Sequence, residues 1–420
     1  MNPINPEAQR TQRKDPMGAS ENRERSDEPF SARYLDALIA GVEGARGDLP
    51  KITRAGEAVA ERLVAGGDLF IASVRPDFVS EGIVRSGGLM MLKAYKPDTV
   101  LSQRDTVVAG WSNTTPDQDL ALLRPLREQG AFVAGIGPAP PEGIAGAFLA
   151  QVDVFLESAP PLPAAVTGRF GGEAYPLISL QNLALLWAFT GEMVAALTRR
   201  GYMPAMYQSV LVPGARERNA RHRQHPFHEA HEVPPLPAGQ LGRAYLEGIG
   251  GCLRALREGE VPAIERVARA CAEVRARGNQ IHAFLIPHFP VYQAGAPGDP
   301  KVMRCLEVLS GETPPVAELE ERMRPGDLFF FLGYYRRPAT VYEAVRRAGG
   351  LIVEVIAGTD TEPEGPTPDY VIRPRWPYGD SLAPVPNYDV RILPSSGIIQ
   401  AALYWAVVGA MSKGVSFSVG

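Results

Sequence analysis

Cysteine is scarce in this sequence, and its scarcity excludes two kinds of protein. Cys252, Cys271 and Cys305 are the only cysteines among 420 residues, and no two of them have CxxC spacing. An odd, widely spaced set excludes a disulfide framework and a thiolate zinc site, and it is typical of proteins in a reducing compartment. We therefore expect a cytoplasmic protein.

A strong net charge and a long uninterrupted apolar run are also lacking. The formal net charge is −4, which gives no reason to expect a nucleic acid or an acidic membrane as a partner. No basic segment followed by an apolar one opens the chain, so no secretory signal is expected. Glycine, charged or polar residues interrupt the apolar stretches before a membrane-spanning length, and we predict no membrane partner.

The composition is that of a globular protein with room for two domains. Apolar residues make up 45% of the chain and charged residues 21%. Residues 1–30 are polar, charged and interrupted by proline, which predicts a disordered tail. We divide the rest into a first domain at 31–212, a connector rich in His, Arg and Pro at 213–240, and a second domain at 241–420.

The first domain alternates strands with helices. Short apolar runs predict strands, and amphipathic or apolar stretches between and after them predict helices, among them those at 77–89, 117–129 and 178–200. The predicted strands are 69–72, 105–110, 131–136 and 152–156. Strands that alternate with helices of this length favour right-handed crossovers and a parallel sheet.

The second domain repeats this order. Asp327 opens an apolar strand as Asp105 does, and Asp369 stands before a short strand as Asp153 does. The matching elements are helices at 241–256, 261–277 and 397–411 and strands at 281–286, 328–332, 351–356 and 368–372. The repeat predicts an α/β fold of two tandem doubly wound parallel-sheet domains related by a pseudo-twofold axis.

Two segments of the first domain resemble a known family. Residues 105–136, DTVVAGWSNTTPDQDLALLRPLREQGAFVAGI, have an Asp opening a strand, a Ser/Thr-rich loop, a helix and a Gly before the next strand. Residues 80–89, SEGIVRSGGL, are similar to an E-x-x-x-R-A-G-G-L segment. The chain thus resembles the sugar isomerase (SIS) domain of phosphosugar isomerases and phosphosugar-binding regulators. The resemblance covers nearly all of residues 31–420, taken twice, and implies flavodoxin-like domains.

A phosphate site is predicted in the loop after the second strand. Hydroxyls, an amide and free backbone N–H groups at a helix N-terminus suit a phosphate dianion. The loop residues are Ser112, Asn113, Thr114 and Thr115, and Ser73 at the end of the first strand is assigned to the same site. The alternative is that Thr114 or Thr115 only caps the helix that Pro116 begins. The loop also lacks the glycine of the family's Ser-x-Ser-Gly-x-Thr pattern.

The matching part of the second domain has a different set of polar residues. Arg336 and Arg337 stand where the hydroxyl run is lost, and they either clamp an anion or form a solvated pair on a turn. Ser395 and Ser396 precede the last helix. They either cap it or reach the sugar site, as the resemblance implies.

Glu81 is the candidate catalytic base for moving a proton between adjacent carbons of a sugar. The resembling family has a Glu at the same offset from its R-x-G-G. The alternative is a surface glutamate on an exposed helix face, and Arg85 is placed to pair with it one turn away.

Two histidines are candidates for opening the sugar ring. His228 belongs to a run of four in the connector, at 222, 225, 228 and 231, which Pro226 interrupts, so that one metal site is disfavoured. His288 follows the first strand of the second domain and either faces ligand or is a satisfied loop histidine.

The resemblance implies a function and leaves its class open. We expect a phosphorylated sugar as the small-molecule partner and aldose–ketose or amino-sugar phosphate isomerisation, with no metal and no other cofactor. The alternative is a non-catalytic sugar-phosphate sensor, which the altered second loop favours. A homodimer is left open.

Overall fold

The structure is a computed structural model that describes residues 28–158, 177–285, 301–306, 316–358 and 364–411, with the backbone of residues 169–170 and 173–174. The tail predicted at 1–30 lies, except for its last three residues, outside the described residues. Within the described ranges the chain forms two parallel five-stranded sheets and two short antiparallel pairs.

The first half contains one five-stranded sheet with helices on both faces. Its strands run in the order β2-β1-β3-β4-β5, and all neighbours are parallel. The strands are β1 (Leu69–Ser73), β2 (Lys93–Ala94), β3 (Thr106–Gly110), β4 (Phe132–Gly137) and β5 (Val154–Glu157). The helices are α1 (Phe30–Gly44), α2 (Leu49–Val64), α3 (Pro76–Gly82), α4 (Pro116–Glu128), α5 (Ala145–Leu149) and α6 (Leu177–Arg199), with a 3₁₀ turn at Ala45–Asp48. The pair β6 (Arg169–Phe170) and β7 (Glu173–Ala174) is antiparallel.

The second half repeats the first. Its sheet has the order β12-β11-β10-β8-β9, so in both halves the sheet order is second, first, third, fourth, fifth. This is the flavodoxin-like order, and it confirms the predicted fold class. The strands are β8 (Ile281–Leu285), β9 (Arg304–Cys305), β10 (Leu328–Leu332), β11 (Leu351–Val355) and β12 (Tyr370–Ile372), followed by the antiparallel pair β13 (Ser381–Ala383) and β14 (Ile392–Pro394). The helices are α7 (Ala215–His222), α8 (Gln240–Gly259), α9 (Val261–Ala276), α10 (Val316–Arg322), α11 (Ala339–Arg347) and α12 (Ser396–Met411).

Two equivalent aspartates hold the start of the central strands. Asp105 accepts hydrogen bonds from the backbone N–H of Asp68 at 2.7 Å and of Ser102 at 2.7 Å. Asp327 accepts them from the N–H just before β8 at 2.9 Å and from that of Arg324 at 2.9 Å. The same side chain therefore ties the first and third strands together in each half.

A second equivalent pair fixes the outer strands. Asp153 accepts from the Arg127 guanidinium at 2.6 Å and from the N–H of the second residue of β4 at 2.8 Å. Asp369 accepts from the Arg346 guanidinium at 2.8 Å and from the N–H of the second residue of β11 at 2.7 Å. The repeat read from the sequence thus extends to individual hydrogen bonds.

The two halves share one layer of helices. Helix α2 packs on α6 as α9 packs on α12, and α6 packs on α8 as α12 packs on α1. Helices α1 and α8, which are equivalent, pack on each other, as do α6 and α12. Each pairing recurs with the halves exchanged, as the predicted pseudo-twofold axis requires.

The main core is continuous across the halves and surrounds α6. One hydrophobic cluster takes in side chains from all six shared helices and from both sheets. Helix α6 is 23 residues long, apolar and long enough to cross a membrane, and it contains an 18-residue stretch with a mean hydropathy of 1.3. However, 94% of that stretch is buried inside the protein. The sequence-based expectation that no stretch reaches this length is therefore wrong for α6, although its place in the fold is the core.

The chain departs from the predicted helix at 77–89. Helix α3 ends at Gly82, and Val84 has φ of +53°. The backbone of residues 87–90 instead pairs with that of residues 205–207, because Gly87 N–H donates to Tyr207 O at 2.7 Å and Tyr207 N–H donates to Gly88 O at 2.9 Å. A long-range contact thus replaces the second half of the predicted helix. The domain boundaries at 212 and 240 stay a prediction.

Candidate functional site

A buried group of charged and polar side chains joins the two halves, with Arg85 at its centre. The Arg85 Nε lies 3.0 Å from Glu81 Oε1, and both side chains are 1% exposed. Its Nη2 donates to Asp380 Oδ2 at 3.1 Å and to Ser396 Oγ at 2.7 Å. Its Nη1 donates to the Tyr334 hydroxyl at 2.9 Å. One guanidinium from the first half therefore binds three side chains of the second.

Asp380 is held at the N-terminus of α12. Its Oδ1 accepts from the backbone N–H of Ser396 at 2.7 Å and from the N–H and hydroxyl of Ser395 at 3.2 Å each. Its Oδ2 accepts from the Ser396 hydroxyl at 2.6 Å. These donors fix the orientation of the Asp380 carboxyl group at the start of α12.

The charges in this group shift the pKa of its members. Burial alone lowers the pKa of Arg85, but the adjacent Glu81 carboxylate, together with Tyr334 and Asp380, raises it above its ordinary value. Burial raises the pKa of the Tyr334 hydroxyl, and Asp380 adds to this, so Tyr334 is a neutral donor and acceptor at neutral pH. Arg85 is a permanent cation here.

A cavity of about 490 Å³ opens beside this group. Arg85, Tyr334 and Asp380 form part of its wall, and residues 207–211 and helix α7 form most of the rest. Apart from Arg85, Tyr334 and Asp380, the lining residues are Val84, Ser86, Tyr207, Gln208, Ser209, Val210, Leu211, Arg216, Asn219, Ala220, Arg223 and Gln224. Three arginines against one aspartate leave the lining with two excess positive charges.

Helix α7 is fixed in place as a wall of this cavity. The Asn219 side chain exchanges two hydrogen bonds with the backbone of Gln208, at 2.9 and 2.8 Å. Arg218 is buried and makes two hydrogen bonds to Asp389, at 2.5 and 2.7 Å, and one to Met206 O at 2.7 Å. The exposed Arg216 of α7 and the exposed Arg223, which directly follows α7, line the cavity.

Three of the predicted site residues meet in the buried group. Glu81, Ser395 and Ser396 all belong to it, although Glu81 is more than 300 positions from the two serines in the chain. Glu81 is buried, so the alternative of a surface glutamate is wrong. A side chain at Gly397 would come within 2.1 Å of Glu81 Oε1, so the carboxylate packs directly on the start of α12. The cavity lining includes Asp380 but not Glu81.

The predicted phosphate loop lies in the first half, away from this cavity. Ser73 and Ser112 line a small pocket of about 10 Å³, room for one water molecule. The hydroxyls of Ser112 and Thr114 lie 2.9 Å apart, and the Asn113 amide donates to Ala139 O at 2.6 Å. Thr115 stands before α4 without a side-chain capping bond among the described residues. Phosphate binding by this loop stays a prediction.

The remaining predicted residues lie elsewhere. Arg337 pairs with the buried Glu354 at 2.7 Å, whereas Arg336 is exposed. His228 Nε2 lies 2.9 Å from the Tyr388 hydroxyl and does not line the cavity of 490 Å³. Burial lowers the pKa of His228 below its ordinary value, and His222 and Arg218 add to this. His288 lies outside the described residues. The catalytic roles of His228 and His288 stay predictions.

Sequence reasoning missed four residues of this site. Tyr334 is the second residue after β10, and its position near a strand end is a usable signal. Asp380, Arg216 and Arg223 lie in irregular or connector segments whose placement depends on long-range contacts, and the sequence pattern gave no sign of them.

Comparisons with known proteins describe a fold likeness only. No family model matches the chain, and no curated protein matches it. Among solved structures, the C-terminal domain of glucosamine-fructose-6-phosphate aminotransferase from Francisella tularensis is similar over 91% of this chain and 94% of its own, with 9% identity and a TM-score of 0.49. A provisionally assigned phosphosugar isomerase from Clostridium difficile 630 covers 92% and 94%, with 10% identity and a TM-score of 0.49. A provisionally assigned sugar-binding protein from Salmonella typhimurium LT2 covers 91% and 98%, with 14% identity and a TM-score of 0.45.

These three structures are 9–14% identical to the chain, with TM-scores of 0.45–0.49. At such identities and TM-scores they assign neither substrate nor reaction to this chain. The fold itself rests on the strand order of the two sheets.

Proposed function

We propose that the chain binds a phosphorylated sugar in the cavity beside Arg85. The observation that carries this proposal is the lining: two excess positive charges together with hydroxyl and amide groups in about 490 Å³. This volume lies within the range of small-molecule sites in proteins. A sugar phosphate combines a dianion with several hydroxyls, and the lining offers partners for both.

The exposed arginines give the proposed orientation. Arg216 and Arg223 line the cavity, whereas Arg218 is buried and pairs with Asp389. Neither Arg216 nor Arg223 has an ion-pair partner among the described residues. We place the phosphate near them, because guanidinium groups bind phosphate oxygens in pairs. The sugar hydroxyls then face Ser86, Ser209 and Tyr334.

The position of Tyr334 relative to the second sheet supports the same proposal. Tyr334 follows β10, next to the point at which the strand order reverses between β8 and β10. Doubly wound sheets bind ligands at this point, outside the carboxyl ends of their strands.

Isomerisation with Glu81 as the base is the second candidate. The observation that favours it is a fully buried carboxylate 3.0 Å from a guanidinium that lines the cavity. Glu81→Gln keeps the size of the side chain but cannot accept a proton. We expect it to retain sugar-phosphate affinity and to abolish aldose–ketose interconversion, measured with glucose 6-phosphate and fructose 6-phosphate. Interconversion at the wild-type rate in this variant would assign the base elsewhere.

Calorimetric titration with sugar phosphates tests the binding proposal. We expect the double change Arg216→Ala, Arg223→Ala to weaken binding at least tenfold, since each charge-assisted hydrogen bond contributes about 1.5–3 kcal/mol. Arg221→Ala is the matched control, because Arg221 is an exposed arginine of the same helix that does not line the cavity.

The same titration decides between the cavity and the loop after β3. If the phosphate binds in the cavity, Thr114→Ala, Thr115→Ala leaves the affinity within twofold of wild type. If that variant loses tenfold or more and the arginine variant does not, the phosphate binds at the loop. No binding of any sugar phosphate by the wild-type chain would end the proposal.

A further inference from the structure

One side of the cavity is apolar and exposed. Val84, Val210 and Leu211 line it. We call these three residues the apolar lip. Val84 is 61% exposed and Val210 41%.

Exposed large hydrophobic side chains are few on the described surface, and the lip brings some of them together. Among the described residues only six large hydrophobic side chains are exposed, and two of the six, Val84 and Val210, belong to the lip. Single exposed apolar residues are ordinary, but a group at the edge of a cavity marks a binding surface. The lip therefore belongs to the cavity rather than to the general surface.

Backbone strain at Val84 supports a role in binding. Its φ of +53° lies in the left-handed region, where a β-branched residue is an outlier that costs about 1–3 kcal/mol. The next residue is Arg85, whose four side-chain contacts fix the backbone at this point. Glycine or asparagine would adopt this conformation at lower cost. Because the Val84 side chain is exposed, core packing does not explain its presence.

A plain sugar phosphate leaves this side of the cavity unused. Its hydroxyls and phosphate need hydrogen-bonding partners, which the lip side chains do not supply. An apolar group on the ligand would bury the lip and be buried by it. A ligand that fills the whole cavity would therefore carry a charged group at one end and an apolar group at the other.

We infer, on the basis of the proposed function, that the ligand is a phosphorylated sugar that carries a short acyl or alkyl substituent. The phosphate binds at Arg216 and Arg223, and the substituent packs on Val84, Val210 and Leu211. The lip is thus the part of the site that selects among sugar phosphates.

Titration with a matched series of ligands tests this inference. The probes are glucose 6-phosphate, glucosamine 6-phosphate, and the N-acetyl and N-butanoyl derivatives of the latter. We expect the acylated sugars to bind more tightly than the two plain ones, by about threefold to fourfold for each methylene that becomes buried. The amine compound separates an effect of charge from an effect of the acyl chain.

Two substitutions locate the effect. Val84→Thr, Val210→Thr keeps the shape of both side chains and replaces a methyl group of each with a hydroxyl. We expect it to remove the preference for acylated sugars, measured as the ratio of their affinities to that of glucose 6-phosphate in the same variant. Val100→Thr is the control, because Val100 is 89% exposed and does not line the cavity. A thermal unfolding curve for each variant confirms that it is folded.

The outcomes distinguish the two levels of the argument. Binding of all four sugars with equal affinity overturns the inference and leaves the proposed function standing. A preference for acylated sugars that persists in the double variant also overturns the inference and leaves the proposed function standing. If none of the four binds, the proposed function fails, and the inference fails with it.

Discussion

Equivalent strands of the two halves end in different surroundings. After β3 the chain continues with the buried Trp111, whereas after β10 the same position is Gly333, followed by Tyr334 at the cavity. The helix contacts at these positions are equivalent, because the Asn182 amide donates to Trp111 O at 2.7 Å and the Gln400 amide donates to Gly333 O at 3.0 Å. The backbone is held alike while the space beside it differs.

The side chain of Trp111 explains much of this difference. Its ring centroid lies 4.8 Å from that of Phe148 and 5.2 Å from that of Phe155. Side chains at Gly135 and Gly137 would come within 2.6 and 2.5 Å of the indole, so β4 carries glycine where the ring lies. The comparison shows that the aspartates that tie the strands together repeat in both halves, while the loops at the strand ends diverge. Of the two cavities described, the larger lies beside the loop after β10. The following predictions test this division.

The largest expected effect is the loss of Arg85, which joins the halves. In Arg85→Ala two buried carboxylates lose their guanidinium, and we expect the free energy of unfolding to fall by about 3–5 kcal/mol. Urea unfolding at pH 7 measures this. The control is Arg127→Ala, which breaks a first-half ion pair whose arginine is 48% exposed and should cost less than about 1 kcal/mol. Equal losses in the two variants would contradict a special role for Arg85.

Asp105 and Asp327, the two equivalent aspartates at the start of the central strands, should contribute different amounts to the free energy of unfolding. Asp327 accepts from two backbone N–H groups and also from Asn279 and His282 at 3.1 Å each, whereas Asp105 accepts from two backbone N–H groups. We expect Asp327→Ala to cost about 3 kcal/mol and Asp105→Ala about 2 kcal/mol in urea unfolding at pH 7. A larger cost at Asp105 would reverse this ranking.

The pH dependence of the same two variants gives an independent measurement. Burial raises the pKa of Asp105 and of Asp327, but the N–H groups that donate to them outweigh it and lower both pKa values. The stability that each carboxylate contributes is therefore present above about pH 4 and is lost as the pH falls further. The difference from wild type should shrink in unfolding curves recorded at pH 3.

Asp119 in α4 should show the opposite dependence. It is 3% exposed, and burial raises its pKa to about 7, although Arg75 opposes the shift. Because the folded pKa lies above the unfolded value, ionisation costs stability as the pH rises from about 4 to 7. We expect Asp119→Asn to be more stable than wild type at pH 8 by at least about 1 kcal/mol and equal to it at pH 4. A constant difference between the two pH values would show that Asp119 ionises normally.

The smallest expected effect on stability concerns the equivalent ion pairs that fix the outer strands. Arg346 pairs with Asp369 as Arg127 pairs with Asp153, and both arginines are partly exposed. Arg346→Ala should cost less than about 1 kcal/mol and match Arg127→Ala within a few tenths of a kcal/mol. Unequal costs in urea unfolding would mean that the framework is not equivalent in the two halves.

The sequence predicts the framework well because local patterns determine it. The helix expected at 178–200 is Leu177–Arg199, and the strand expected at 351–356 is Leu351–Val355. Apolar runs bounded by glycine and aspartate leave little choice at these positions. The fold class and the repeat follow from their order.

The site is less predictable because it depends on contacts between distant parts of the chain. Glu81, Ser395 and Ser396 were chosen separately, and their meeting at Arg85 depends on the packing of α12 against the first half. The end of α3 at Gly82 was missed, since pairing with residues 205–207 outcompetes the local helical pattern. Neither event leaves a periodic signal in the sequence.

The burial of α6 has a consequence for the making of the protein. This helix packs against α8 and α12, which are synthesised later. While the ribosome adds residues 200–411, α6 has only its first-half neighbours to cover an apolar surface meant for two halves. Such a surface is a substrate for chaperones and a cause of aggregation in unfinished chains. The apolar surface of α6 is therefore fully covered only when α8 and α12 pack against it.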